Sequence, residues 1–382
     1  MQRKHYSDDH LTFGDLARTF ISREILPRYL EWESAGISPR ELFTSAGSAG
    51  LLALEVPEEY GGAGLSDFRF NQLLGEELML HGIAGAGIGL TLHNDVCLPY
   101  FTKYCTDEQR HRWLPGITSG ELITAVAMSE PGAGSDLAGI RTSAVATGSD
   151  LVVNGAKTFI TNGVNADLVI AVVRTSPDPH KGLTLVVLER GMPGFERGRN
   201  LDKIGMHSQD TAELSFTDVR VPQENVLGQI GAGFACLVAN LPRERMSIAV
   251  AAVAGARAAL NWTTQYVRDR KAFGRSIGSL QNTRFVLAEI ATEVDIAQHY
   301  IDACVNALID GELSAEDAAK AKWWSTELHG RAVDRCLQLH GGYGYMLEYP
   351  IARAYADARV TRIYGGANEI MKEIIGRSLD LG

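Results

Sequence analysis

No run of about 18 apolar residues occurs in this chain of 382 residues, so the sequence offers no membrane-spanning helix. Cysteine is scarce. The five present, Cys97, Cys105, Cys236, Cys304 and Cys336, are odd in number and lie far apart. They make neither a disulfide framework nor a zinc site, they suit a reducing compartment, and no metal is expected. Basic charge is in deficit, with 36 Lys and Arg against 46 Asp and Glu and a net charge of −10. That argues against a nucleic-acid binder, which needs a basic face to neutralise phosphate. A small anionic ligand stays open, because a few local arginines suffice to hold one. The opening MQRKHYSDDHL has no apolar signal region, and its acidic residues are unlike a transit peptide, so a soluble cytoplasmic protein is expected. Internal repeats, low-complexity linkers and a dinucleotide-binding glycine fingerprint after a strand are all missing.

What is present reads as an ordinary globular chain, 45% hydrophobic and 21% charged. The length exceeds what one core usually spans, so two or three domains are expected. Residues 1–121 mix helical periodicity with glycine punctuation. LTFGDLARTFISREIL sets Leu11, Leu16, Phe20 and Ile21 at helical spacing, and FNQLLGEELMLHG predicts a helix that stops at Gly82. Between them VPEEYGGAGLSD is too rich in turn residues for either element. Over residues 122–228 the period becomes two. SAVATGSDLVVNGAKTFIT predicts a hairpin turned by Gly148, Ser149 and Asp150, and DLVIAVVRT, GLTLVVLER and AELSFTDVRVP follow as short strands. Such spacing suggests a small antiparallel barrel or sandwich. Over residues 229–382 the strands give way to long alanine-rich helices, beginning with MSIAVAAVAGARAALNWTTQYVRDR, and Ser314 with Asp317 imitates a helix cap. The fold class is α+β: an N-terminal helical domain, a middle β-domain and a C-terminal four-helix bundle.

Five segments carry candidate chemistry. After the apolar strand ITAVAM, the loop SEPGAGSD (129–136) has Gly132 and Gly134, which permit close backbone approach to a flat or phosphorylated ligand. Ser129 and Ser135 add hydroxyls, although a plain tight turn needs the same glycines. KTFITNG (157–163) sets an aromatic, a β-branched residue and a hydroxyl in a row, as a flavin edge would need and as a buried turn also shows. In DRKAFG (269–274) Arg270 can clamp a pyrophosphate or merely complement a helix dipole, and Gly274 is expected to stop the helix. QLHGGYGY (338–345) and IYGGANEI (363–370) place paired glycines after helix-forming stretches, either as caps or as phosphate cradles.

In this order, and over almost the whole chain, these segments resemble the acyl-CoA dehydrogenase family. The resemblance implies a homotetramer with FAD at a subunit interface, an acyl-CoA substrate and an electron-transfer flavoprotein as acceptor. It implies flavin positions at Met128, Ser129, Gly134 and Ser135, with Phe159, Ile160 and Thr161 over the ring edge. Arg270, Phe273 and Gln281 would hold the pyrophosphate and adenosine side. Gln338, Leu339, His340, Gly341 and Gly342 would reach the FAD of a neighbouring subunit. Ala367, Asn368 and Glu369 complete the cofactor set, with Ala367 standing where a threonine is usual. Ser135, Arg245, Tyr364, Gly365 and Gly366 would lie near the thioester.

The commonest form of the family carries its catalytic glutamate directly after the tyrosine that here is Tyr364, and this chain has Gly365 there. A smaller branch, including long-chain and isovaleryl-CoA dehydrogenases, carries it on a C-terminal-domain helix just before an arginine. ANLPRERMSIA fits that pattern with Glu244 before Arg245, and Pro242 together with YGGANEIMKEII most resembles the long-chain branch. The expected activity is conversion of a medium- to long-chain acyl-CoA to the trans-2-enoyl-CoA. Glu244 would remove the α-proton while hydride leaves the β-carbon for the flavin. The plainer alternative for Glu244 is an ion pair with Arg243, Arg245 or a residue one turn away. Glu369 is the second candidate base, but the dipole at a helix N-terminus would lower its pKa. A glutamate placed at 365 is expected to reach the same α-carbon. Competing functions are a dehydrogenase of carrier-protein-bound acyl groups, a flavin monooxygenase on the same fold, and a non-catalytic assembly protein.

Overall fold

The computed structural model describes residues 3–179 and 181–380. Helices come first: α1 (Asp8–Phe20), α2 (Tyr29–Ala35), α3 (Glu41–Ser48), α4 (Phe68–Leu80), α5 (Ala84–Thr91), α6 (Leu98–Tyr104) and α7 (Asp107–Ser119). Helix α1 forms as the periodicity predicts, and Phe20 and Ile21 are buried as expected, but the first part of the stripe is displaced. Leu11 and Leu16 are exposed, while His10, Phe13, Gly14, Ala17 and Phe20 are buried. The reason is local: His10 Nε2 donates to Asp67 Oδ2 and its ring lies near Phe70, which turns that side of the helix inward. Helix α4 ends at Leu80, and Gly82 takes a left-handed φ of 71° two residues later. A π-helical turn, Leu92–Cys97, joins α5 to α6.

The strands follow: β1 (Thr124–Ala127), β2 (Ser143–Thr147), β3 (Asp150–Thr161), β4 (Leu168–Arg174), β5 (Leu183–Glu189), β6 (Phe195–Asn200), β7 (Thr211–Pro222) and β8 (Val226–Leu227). They make one sheet in the order β6-β7-β3-β2-β4-β5-β8, with β1 on β4. Its pairings are antiparallel except β1 with β4 and the single pair Ser143 with Arg174, which are parallel. The β2–β3 hairpin turns through Gly148 and Ser149, with Thr147 opposite Asp150. LVIAVVR and LTLVVLE form β4 and β5, whose largely apolar, buried runs fit strands covered on both faces. Ile170, Val172, Leu185 and Val187 join the core of the N-terminal helices. Val169, Val173, Val186 and Leu188 join a second core inside the sheet.

The remainder is α8 (Gly233–Asp269), a small hairpin of β9 (Lys271–Ala272) and β10 (Arg275–Ser276), α9 (Gln281–Ile309), α10 (Ala315–His340), α11 (Pro350–Ala358) and α12 (Asn368–Ser378). Three long helices pack side by side, and α11 and α12 close over α10. Ser314 caps α10, accepting from the Asp317 amide at 2.9 Å. Helix α8 begins well before the alanine-rich run and continues through Pro242. The carbonyl that loses its donor there belongs to Val238, a residue that is exposed.

The N-terminal arm is tied to both helical layers. Arg3 donates to both Glu76 oxygens of α4 at 2.7 Å and to Asp302 of α9 at 2.6 Å. Burial works against the Arg3 charge, but these hydrogen bonds outweigh it, and they hold Asp302 below the usual aspartate range against its own burial. Arg3→Ala would leave two partly buried carboxylates facing each other. We expect a loss of about 3 kcal/mol of stability near neutral pH, the lower end for breaking a buried pair. Because the Asp302 pKa is depressed in the folded state, wild type loses this contribution as pH falls through that lowered value, and the gap between the proteins should close. Urea unfolding at several pH values checks this, and a constant gap would contradict it.

Candidate active site

Helix α8 carries Glu244 beneath α6. Glu244 is 5% exposed, and the Tyr100 hydroxyl donates to its Oε1 at 2.8 Å. Arg243, one of its proposed ion-pair partners, instead donates to Glu55 at 2.7 Å. Among the described residues Glu244 enters no ion pair within 4.0 Å, so the plainer structural reading loses its partner. Burial raises the Glu244 pKa to about 7, and the Tyr100 hydrogen bond and the Arg245 charge only partly oppose it. Arg245 is also buried, its pKa is lowered by burial, and its Nε has no hydrogen-bond partner in the protein. A donor left unpaired at such depth is available to a ligand oxygen.

The turn after Tyr364 approaches the same place. Gly365 and Gly366 have φ of 61° and 92°. Lys322 of α10, fully buried, donates to the Gly366 carbonyl at 2.7 Å and to Asn368 Oδ1 at 3.0 Å. Burial lowers its pKa to about 8. A Cβ on Gly365 would sit 2.2 Å from Cδ1 of Ile248, one turn beyond Glu244 on α8. Position 365 therefore points to the locus of Glu244. The expectation for a glutamate at 365 needs correction, since it would meet Ile248 and a backbone conformation that disfavours side chains. Tyr364 and Ala367 are half-buried beside this turn. Asn368 is buried, and its amide is taken up by Thr326 and Glu327, so its side chain anchors α12 from within. Glu369 lies exposed on the first turn of α12, away from the buried carboxylate.

The loop after β1 is held from below. Lys157 of β3, fully buried, donates to the Met128 carbonyl at 3.0 Å and to Glu130 at 2.9 Å. Glu130 also accepts from the amides of Arg141 and Thr142. These bonds outweigh its burial and keep it below the usual carboxylate range. Above this anchor Met128 and Ser129 are half-buried, and Gly134 and Ser135 are exposed. A Cβ at Gly132 or Gly134 would meet nothing within 4 Å, so the loop presents an open backbone. A bulge between Lys157 and Ile160 turns Phe159 outward, 72% exposed at a φ of 60°. A bulky residue held in that region is strained, and such strain clusters at ligand sites. Thr161 is half-buried, whereas the Ile160 side chain lies in the sheet core and cannot itself cover a ligand.

A third region lies in the C-terminal helices. Arg270, Gln338, Leu339, His340, Gly341 and Gly342 line one cavity of about 580 Å³ together with Tyr266 and Tyr343. One chain thus brings Arg270 and residues 338–342 to one cavity. Arg270 lies over the Tyr343 ring at 5.3 Å. His340 is buried and stacks on Tyr266 at 4.2 Å, its Nδ1 engaged with the Cys336 carbonyl, so its ring is structural. Gly341 and Gly342 have free space where a Cβ would be. The predicted helix stop also moves. Helix α8 ends at Asp269 with Arg270 as its extended cap, and Gly274 at a φ of 76° turns the β9–β10 hairpin. Phe273 shares that hairpin, 92% exposed at a φ of 53°, and Gln281 is exposed at the start of α9.

With this geometry in hand, the relatives are informative. The acyl-CoA dehydrogenase N-terminal domain matches residues 7–121, the middle domain 125–219 and the C-terminal domain 231–379. The chain is 43% identical over 380 residues to the mitochondrial long-chain specific acyl-CoA dehydrogenase of Mus musculus, covering 99% of this chain and 88% of that protein. The crystal structure of an acyl-CoA dehydrogenase from Geobacillus kaustophilus matches with a TM-score of 0.97 at 45% identity, covering 100% of both chains. A glutaryl-CoA dehydrogenase from Mycobacterium smegmatis in complex with FADH2 matches with a TM-score of 0.92 at 25% identity, covering 98% of this chain and 95% of that one. This chain belongs to the acyl-CoA dehydrogenase family, a family of FAD-dependent oxidoreductases.

The residues present fit the cofactor. Open glycine backbone at 132, 134, 341 and 342, the guanidinium of Arg270 and two strained, exposed phenylalanines together suit a flat ring joined to a pyrophosphate. Sequence reasoning missed Tyr100, Glu130, Lys157 and Lys322. Lys157 did leave a signal, since a lysine at an inward position of a period-two strand needs a buried partner. Tyr100, in the aromatic run LPYFTKY, reads only as core. Lys157→Met would strand Glu130 and release the loop. We expect about 3 kcal/mol of lost stability and a reduced ratio of flavin to protein after gel filtration. Full flavin retention in a destabilised variant would show that the anchor serves only the sheet.

Proposed function

We propose that the protein converts a medium- to long-chain fatty acyl-CoA to the trans-2-enoyl-CoA, with Glu244 as the base. The observation that carries this reading is a buried carboxylate, free of ion pairs among the described residues, whose pKa burial raises to about 7. A base of that strength suits an α-proton made acidic by a polarised thioester. Glu244 takes the α-proton, the C–H electrons form the double bond, and the β-hydrogen leaves with its electron pair. FAD supplies the ring that accepts this hydride. The unpaired Nε of Arg245 supports a contact with substrate oxygen. Ser135, Tyr364, Gly365 and Gly366 would shape the thioester's surroundings. Met128, Ser129, Gly134, Phe159 and Thr161 would border the ring, and the cavity of Arg270 and residues 338–342 would take the pyrophosphate and adenosine portion. A monooxygenase needs no such base, so Glu244 favours dehydrogenation.

Further parts of the reading rest on the family resemblance. The electrons would pass to an electron-transfer flavoprotein. The assembly would be a homotetramer, which the exposed Phe273, Phe285, Tyr345 and Leu347 around the α9 start and the 341–347 segment support as a face for a second copy. A cytoplasmic setting is supported by five buried cysteines, all unpaired. Among the described residues no helix is long and apolar enough to cross a membrane.

Glu244→Gln tests the assignment. Glutamine keeps the size and the Tyr100 hydrogen bond but cannot accept a proton. Anaerobic bleaching of the flavin by dodecanoyl-CoA should slow by about 10² to 10⁴, with FAD retained. The wild-type rate should fall as pH drops below about 7, because the base must be ionised. Bleaching at the wild-type rate by Glu244→Gln would overturn the assignment.

A further inference from the structure

Tyr100 stands in a relation to Glu244 that ordinary core packing does not require. It comes from α6, 144 residues away in sequence, and is fully buried. Its hydroxyl reaches Oε1, and among the described residues no hydrogen bond reaches Oε2. We propose that Tyr100 is a positioning residue for the base: it holds Oε1, fixes the carboxylate plane and leaves Oε2 as the atom that receives the α-proton. This rests on Glu244 being the base.

The arrangement works in both protonation states. Ionised Glu244 accepts from Tyr100 at Oε1. Once Oε2 carries the proton, Oε1 is the carbonyl oxygen and still accepts the same bond. The tyrosine thus stays a donor through the step, and the carboxylate need not reorient. Tyr100 itself does not give up its proton, because burial and the neighbouring carboxylate keep its phenol well above the ordinary tyrosine value. The other groups facing Glu244 do not replace it. From the π turn Cys97 is buried, and burial pushes its thiol well above the ordinary cysteine value, so it stays a neutral neighbour. From α8 itself Arg245 contributes charge without a hydrogen bond to the carboxylate. Lys322 of α10 couples to Arg245 and is spent on the Gly366 carbonyl. A phenol in place of a cation orients the base without paying for that with a large loss of basicity.

The test is the pH dependence of flavin bleaching by dodecanoyl-CoA, followed by anaerobic rapid mixing with the FAD-loaded enzyme. Tyr100→Phe keeps the ring and removes the donor. Its maximal rate should fall at least fivefold, and the acid limb of kcat/KM should move to higher pH by about one unit, as loss of a hydrogen bond to a charged group implies. Site-specific replacement of Tyr100 by 3-fluorotyrosine, a stronger donor of nearly the same size, should move the limb the other way. That second variant carries the test if Tyr100→Phe fails to keep FAD. A purely structural tyrosine would lower stability and leave the limb in place. A wild-type limb in the folded Phe variant, or in the fluorotyrosine variant, overturns the proposal. Glu244→Gln separates the two claims: if it is inactive while the Tyr100 variants keep the wild-type profile, only the positioning role falls, and if it is active the base assignment falls first.

Discussion

Taking a carboxylate out of water without giving it a cation is costly, and a protein usually avoids it by pairing or protonating the group. Here the cost is accepted at Glu244. Desolvation by α6 and α8 drives its pKa to about 7, and one phenol hydrogen bond keeps the charged form accessible. The surrounding structure keeps that balance. A direct ion pair would return Glu244 to ordinary carboxylate acidity, while complete isolation would leave it protonated at neutral pH.

Most nearby cations have other work. Arg243 is paired with the Glu55 carboxylate, Lys322 holds the Gly366 carbonyl, and Lys157 holds Glu130 and the Met128 carbonyl under the 129–136 loop. Arg245 adds its charge without a hydrogen bond to the base, so among the described residues no cation is paired with Glu244. The glycine turn at 365–366 fits the same logic. Its backbone is drawn inward by Lys322, and its missing side chain leaves room for Ile248, one turn from Glu244. Position 365 and position 244 thus approach one locus from two helical layers.

Much of this was legible in the sequence. The switch of hydrophobic period from helical to two and back announced the helix–sheet–helix order, and Gly365 after Tyr364 directed attention to Glu244. The parts that were not legible share a physical cause. Leu11 and Leu16 fit a helical stripe, but tertiary packing by His10 and Phe70 chose another face of α1. The start of α8, ahead of the alanine-rich run and through Pro242, left no such periodic signal. Tyr100 could not be singled out at all, since a tyrosine's acceptor lies 144 residues away and no local pattern encodes it. Ile160 sat correctly in its motif, but strand alternation with a bulge sent its side chain into the core and Phe159 outward.

The charge state of the Glu244 side chain can be read directly. Infrared difference spectra between the wild-type holoenzyme and Glu244→Gln, recorded across the pH range, isolate the band of a protonated carboxylic acid at position 244. That band should be present in mild acid and disappear with a midpoint near 7. A midpoint near the ordinary glutamate value of 4.5 would contradict it, for the carboxylate would then be a common surface-like acid with no reason to be buried beside a tyrosine.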